Sequence, residues 1–160
     1  MSDLTPAEVL GLLPQRRPCR FVDEILELDA EHVLSKYTWT EEDCAGHFPG
    51  NPVVPGVKML EMASQTAVVA WGLFLAGARP AAEGRDAFFT EVDRVIFKMS
   101  VRPGETVACR AWFGKGGSFT DGRVAAEVEL KFLGGPKDGE TIFAGKITGV
   151  WMPKDSENLL

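Results

Sequence analysis

Long apolar runs are missing from this chain. The longest strongly apolar stretch, Ala67 to Ala78, falls short of the roughly 20 residues that a bilayer-spanning helix needs. It also continues a segment carrying Lys58, Glu61 and Gln65, so it reads as a buried helix and no membrane partner is expected. Basic blocks are missing too: the formal net charge is -6 and no block of five or six lysines and arginines occurs, which argues against a nucleic-acid partner. The three cysteines, Cys19, Cys44 and Cys109, are scattered and form no Cys-x-x-Cys pair. That suits free thiols in a reducing compartment rather than a disulfide framework. Met1 to Thr5 has neither the basic start nor the apolar core of a secretory signal, and the expected location is cytoplasmic. There are only two histidines. No cysteine cluster joins His32, His47 and Cys44 into a zinc shell, so no metal is expected.

What is present fits one globular domain: 160 residues, 45% of them hydrophobic, can bury a core, although a small sheet on one helix gains from a partner surface. The expected division is a single domain over residues 1–152 and a flexible tail over 153–160. Thr5-Pro6-Ala7-Glu8 reads as an N-cap, a proline at the first helical position and an acidic first turn, which predicts a short helix from Thr5 to Leu12. Arg20 to Leu28 and Glu31 to Thr40 alternate loosely between apolar and polar residues around an Asp29-Ala30 turn, a strand pair. Val57 to Gly77 is apolar around nearly the whole helical circumference, the pattern of an enclosed central helix. Ala78 to Asp86 reads as a loop. Four strand-like segments follow, Phe89 to Ser100, Glu105 to Lys115, Arg123 to Leu133 and Thr141 to Met152, separated by Gly, Pro and Asp. No crossover helix lies between them, so an antiparallel meander is expected. The fold class is therefore α+β, an antiparallel sheet wrapped around one long central helix.

Chemistry concentrates between residues 46 and 65. Pro49, Pro52 and Pro55 stiffen the backbone around Gly50 and Gly56, which holds His47 in a constrained loop. The helix that follows opens at Gly56 and Val57, whose N–H groups have no acceptor within the helix and lie at its positive end. That is a site for polarising a carbonyl. Glu61 sits either on an exposed helix edge or in the core, where its carboxyl group must be hydrogen-bonded or protonated; Gln65, four residues on, shares its face. A base, an acid and carbonyl-directed N–H groups suit removal of a proton beside a carbonyl with departure of a hydroxyl group. Gly114-Lys115-Gly116-Gly117-Ser118 lacks the spacing of a phosphate loop and reads as a hairpin turn.

These segments resemble the 3-hydroxyacyl-acyl-carrier-protein dehydratases of fatty acid synthesis, which have the hotdog fold. The resemblance runs through Leu13-Pro14-x-Arg16-x-Pro18 with Phe21-Val22-Asp23, His47-Phe48-Pro49-Gly50-x-Pro52-Val53-x-Pro55-Gly56-Val57, Leu60-Glu61-x-x-x-Gln65, Asp93-Arg94-Val95-x-Phe97 and Val101-x-Pro103-Gly104. It implies that His47 is the base at C2 of a 3-hydroxyacyl thioester and that Glu61 protonates the departing hydroxyl. It further implies substrate contacts at Gly56, Val57, Gln65, Phe48 and Pro55, no cofactor, and a homodimer or trimer of dimers in which two protomers share each site. Glutamate at position 61 resembles the branch that dehydrates without isomerising the double bond. Four positions depart from the family pattern: Gln15 stands where many members have histidine, Cys19-Arg20 replaces an apolar pair, and Lys58 is polar where an apolar residue is usual.

The activity implied is elimination of water from a 3-hydroxyacyl chain on acyl carrier protein, giving a trans-2-enoyl thioester. The alternatives are a hotdog thioesterase or enoyl hydratase acting on coenzyme A, and a non-catalytic acyl-thioester-binding protein. Carrier docking would need a local basic patch on an acidic protein. Arg94, Lys98 and Arg102 are separated by even numbers of residues and so fall on one face of an ideal strand; a solvated strand face explains them equally well.

Overall fold

The computed structural model describes residues 2–160. The chain opens with helix α1, Pro6–Leu12. Its start is a reciprocal cap: the Glu8 N–H donates to the Thr5 hydroxyl at 3.3 Å, and the Glu8 carboxylate accepts the Thr5 N–H at 2.7 Å, satisfying donors that the first helical turn leaves open. Val9 and Leu13 are buried beneath it.

Strands β1 (Glu24–Leu28) and β2 (His32–Thr38) form the expected antiparallel pair. β1 begins four residues later than Arg20 because the backbone at Phe21 is held by a side chain, Gln65, rather than by a neighbouring strand.

The central helix α2 is a continuous rod of three stretches: α-helical over Gly56–Ser64, π-helical over Gln65–Trp71 and α-helical again over Gly72–Leu75. All seven residues from Gln65 to Trp71 are buried, as the all-round apolar pattern requires. The π-helical stretch was not legible in that pattern. It occurs where donors outside the ordinary helical ladder compete for main-chain carbonyls: the Trp151 indole N–H donates to Val68 O at 3.0 Å and the Thr66 hydroxyl to Met62 O at 2.9 Å.

A short helix, α3 (Arg79–Ala82), occupies part of the segment expected to be a loop, with Pro80 buried. Strand β3, Arg85–Phe97, then starts earlier than Phe89 and runs 13 residues. β4 (Thr106–Trp112), β6 (Arg123–Phe132) and β7 (Thr141–Pro153) lie within a residue or a few of their expected spans. A three-residue strand, β5 (Ser118–Thr120), turns back onto the start of β6, and the Gly114 to Gly117 segment is the turn before it.

All pairings are antiparallel, in the order β1-β2-β4-β6-β7-β3. This corrects the simple meander: β3 pairs with β7 at the far edge, not with β4. The reason is α2, which separates β2 from β3 in the chain and fills the concave side of the sheet, so that the β1–β2 pair and β3 end at opposite sides of the sheet. The inward residues alternate as a one-sided sheet demands: Val33, Ser35 and Tyr37 on β2, Val107, Cys109 and Ala111 on β4, and Val124, Ala126, Val128, Leu130 and Phe132 on β6 are buried. Helix and sheet meet closely at Gly149, where a Cβ would lie 2.7 Å from Val68 Cγ1; no larger residue fits without moving one of them. Beyond Pro153 the chain has no further strand or helix, and the Arg123 guanidinium donates to Leu159 O at 3.3 Å.

Candidate active site

The loop between β2 and α2 is held by a dense set of main-chain hydrogen bonds. After a 3₁₀ turn at Glu42–Cys44, the His47 N–H donates to Cys44 O at 2.9 Å and the Val53 N–H to His47 O at 2.8 Å, while Phe48 and Asn51 exchange N–H···O bonds at 3.0 Å. Gly50, at φ +71°, supplies the left-handed residue of that tight turn. Val54 N–H donates to Val101 O at 2.8 Å, anchoring the end of the loop to the segment after β3.

This scaffold fixes the His47 ring. Its Nδ1 lies 3.0 Å from Val53 O. A carbonyl oxygen can only accept, so Nδ1 is the protonated nitrogen of the neutral ring and Nε2 is left with a free lone pair. The Phe48 ring stacks on the imidazole, 4.1 Å between centroids at 28°, and is 53% exposed.

Gly56 opens α2 after Pro55, with no side-chain cap; the N–H groups of Gly56 and Val57 point out of the helix start without a helical acceptor. Phe97 packs on Gly56, where a Cβ would stand 3.3 Å from the ring. Val57 is 72% exposed. An open, largely apolar groove passes beside this point, lined by Gly56, Met59, Phe97, Lys98 and Met99.

Glu61 lies partly buried one turn further along, not on an exposed edge. Burial pushes its carboxyl pKa up from the ordinary value, and the hydrogen bond from Gln65 opposes that rise in part. Gln65 is fully buried and uses every hydrogen-bonding group it has. Its Nε2 donates to Glu61 Oε1 at 2.9 Å and to Cys19 O at 2.7 Å, and its Oε1 accepts the Phe21 N–H at 2.8 Å. The two main-chain partners decide which end of the amide is which, since Cys19 O can only accept and Phe21 N–H can only donate. The role of Cys19 and Phe21 was invisible in the sequence because it is played by the backbone.

The structure thus brings His47, Phe48, Pro55, Gly56 and Val57 onto one loop and helix start, and Glu61 with Gln65 onto the next turns of the same helix. Among the described residues no hydrogen bond or ion pair joins His47 to Glu61 within the chain. The even spacing of the three basic residues does not translate into one strand face. The β3 register slips between Asp93 and Ile96, and Arg94 sits in that slip at φ +53°, its guanidinium on Asp93. An extra residue reverses the alternation of side chains, so Arg94 and Lys98 cannot be assigned one face by counting. Arg102 instead donates to Asn51 Oδ1 at 2.9 Å, bracing the His47 loop. His32 pairs with Glu27 and Asp29 on the outer surface, and no group of three metal-ligating side chains occurs among the described residues.

Residues 29–120 match the family described as ApeI-like, the ApeI dehydratase. The chain is 35% identical over 142 residues to the 3-hydroxyacyl-[acyl-carrier-protein] dehydratase FabZ of Enterococcus faecalis, an alignment covering 81% of this chain and 97% of that protein. It is 37% identical over 142 residues to the FabZ of Oenococcus oeni, covering 81% and 99%. Among solved structures, the dehydratase heterocomplex ApeI:P from Xenorhabdus doucetiae superposes with a TM-score of 0.73 at 16% identity, covering 94% of this chain and 93% of that one. A thioesterase from Haemophilus influenzae does so with a TM-score of 0.66 at 11% identity, covering 98% and 96%. At those identities the two structures speak for the wrapped sheet and helix alone.

Proposed function

The chain belongs to the 3-hydroxyacyl-acyl-carrier-protein dehydratase family, and on that premise we propose that His47 and Glu61 are its catalytic base and acid. It is a dehydratase that eliminates water from 3-hydroxyacyl-acyl-carrier-protein to give the trans-2-enoyl thioester. The observation that carries the assignment of roles is the contrast between the two groups. His47 is held by Val53 O with Nε2 free to accept a proton, while burial raises the pKa of Glu61 and so favours the protonated form that can give one.

In the elimination, His47 Nε2 takes the proton from C2. The electron pair of that bond becomes the C2=C3 double bond, and the C3–O bond breaks as Glu61 delivers its proton to the leaving oxygen. Charge that gathers on the thioester oxygen is met by the Gly56 and Val57 N–H groups at the helix start. Phe48 and Pro55 shape the approach to that point, and the groove along Met59, Phe97 and Met99 gives the acyl chain an apolar surface. The proton left on His47 returns to Glu61 through water, and the protein is restored.

Two protomers supply each site, His47 from one and Glu61 from its partner, in a homodimer or a trimer of dimers. The absence of a His47–Glu61 contact within one chain supports this, as does the outer edge of β3. That edge is long, has no partner strand, and carries Val92 and Phe97 half-exposed and Ile96 62% exposed. Unpaired apolar edges of this kind are covered in stable proteins. Acyl carrier protein delivers the substrate, and Arg102, beside Asn51 on the His47 loop, and Lys98, on the groove at the start of α2, are basic residues near the site able to meet it. The three free cysteines suit a cytoplasmic enzyme.

The test is to supply 3-hydroxyacyl thioesters of graded length, on acyl carrier protein and on coenzyme A, and follow enoyl formation and thiol release separately. Enoyl formation without thiol release is expected, fastest on the carrier protein. Thiol release without enoyl product would make the protein a thioesterase and overturn the proposal.

A further inference from the structure

Ahead of His47, the 3₁₀ turn is tied to the start of α2 by a side chain that has no part in the chemistry above. Lys58 lies in the first turn of α2, and its Nζ donates to the main-chain carbonyl of Asp43 at 2.7 Å. A cation there opposes the positive end of the helix dipole, so the position is unfavourable unless a contact offsets it, and the Asp43 carbonyl is that contact. Asp43 is itself only 6% exposed. Its Oδ2 accepts the Tyr37 O–H at 2.8 Å and the Thr40 N–H at 2.9 Å, and its own N–H donates to Thr40 Oγ1 at 3.2 Å. Burial, and then the bond to Asp43, pushes the Tyr37 phenol well above its ordinary pKa, so Tyr37 remains a donor across the working pH range.

These contacts form one connected path. β2 holds Asp43 through Tyr37; Asp43 holds Lys58 and therefore the first turn of α2; and the next residue, Cys44, accepts the N–H of His47. The loop bearing the imidazole and the helix start bearing the Gly56 and Val57 N–H groups are thus locked to the same point. We propose that Lys58, acting through Asp43, is a positioning residue that fixes the His47 imidazole relative to the Gly56 and Val57 N–H groups. The inference rests on the roles assigned to those groups above. Everything it locks lies within one chain, so it is independent of how protomers share the site.

Displacement of a catalytic group by about 1 Å can cost on the order of a hundredfold in rate. Lys58 is one of several restraints on the loop, with Val53, Val101 and Arg102, so its loss should cost less than that. Lys58→Met, which keeps most of the apolar stem, and Lys58→Arg, which restores a donor, are compared with the unmodified protein. His47→Ala sets the floor of the dehydration assay. Lys58→Met should lower kcat about tenfold with KM within about twofold and an unchanged melting temperature, and Lys58→Arg should recover most of the loss. Adding Tyr37→Phe should cost less than the product of the two single effects, because both act through Asp43.

Amide hydrogen exchange gives a readout that does not depend on turnover. Lys58→Met should speed exchange at the His47 and Val53 amides at least about tenfold while β6 amides stay unchanged. Unchanged protection at those two amides, or kcat within about twofold of the unmodified protein, overturns the positioning role. An unmodified protein with no dehydratase activity would instead sink the assigned function, and the exchange data would still decide whether Lys58 braces the loop.

Discussion

Gln65 holds Glu61 in one hydrogen-bonding sense. The amide of Gln65 cannot flip, because its oxygen is committed to the Phe21 N–H and its nitrogen to Cys19 O, and the remaining N–H therefore meets Glu61 Oε1 at 2.9 Å. A protonated Glu61 must then carry its proton on Oε2, the oxygen that Gln65 leaves alone. Gln65 orients the acid, and burial raises its pKa toward the protonated form.

Replacing Glu61 with Gln removes the proton donor but leaves a carbonyl oxygen to accept from Gln65. Turnover should fall at least about a hundredfold, with the melting temperature nearly unchanged. Dehydration kinetics and a thermal melt on the same preparation check this; an active Glu61→Gln protein would remove Glu61 from the mechanism.

Replacing Gln65 with Leu is expected to behave differently, because stability as well as activity is at stake. The Phe21 N–H and Cys19 O would lose their buried partner, at roughly 1–3 kcal/mol for each unsatisfied group, and Glu61 would lose its orientation. A denaturant titration should show the loss of stability, together with a fall in kcat. A stable Gln65→Leu protein with full activity would show that the amide does neither job.

The raised pKa of Glu61 gives a signed pH dependence. Native Glu61 binds its proton more tightly than the unfolded chain does, so the folded state holds more protons between the ordinary value of 4.5 and the raised one. Its contribution to stability is present in full below the ordinary value and is lost as pH rises through that window. Unfolding free energies of the unmodified protein relative to Glu61→Gln should therefore decline across it, and a constant difference would contradict a raised pKa. Activity should be bell-shaped, since it needs His47 neutral and Glu61 protonated. A flat rate from mildly acidic to mildly basic pH would separate these two residues from the chemistry.

The shared site is tested by mixing two dead proteins. Co-refolded His47→Ala and Glu61→Gln chains pair at random, so half the dimers are hybrids, and in each hybrid one site carries both lesions and the other neither. About a quarter of the unmodified activity should return. If both residues of a site came from one chain, every site would keep a lesion; an inactive mixture with verified subunit exchange would refute the shared site.

Much of this was legible in the sequence, for identifiable reasons. The reciprocal cap of Thr5 and Glu8, the alternation along β6 and the all-round apolar character of α2 are local patterns, and local patterns are what a linear chain displays. The loop from Gly46 to Gly56 was legible because proline and glycine restrict or free the backbone wherever they stand. The pairing of Glu61 with Gln65 followed from four residues making one helical turn. Arg94 shows where counting fails: one inserted residue reverses the alternation, and nothing in the composition of β3 announces it.

The sequence by itself determined most of the elements, the helix that had to be buried, and the residue types able to move protons. Only the tertiary structure decided what those residues are held against, because no local pattern in the chain specifies the partner of each decisive contact. Val53 O chooses the tautomer of His47, and Cys19 O with Phe21 N–H, more than forty residues from Gln65, chooses the orientation of the acid. Asp43 O claims the Lys58 ammonium. These are main-chain groups, present at every position and therefore silent in any reading of side chains, and only the fold selects which of them a given side chain meets.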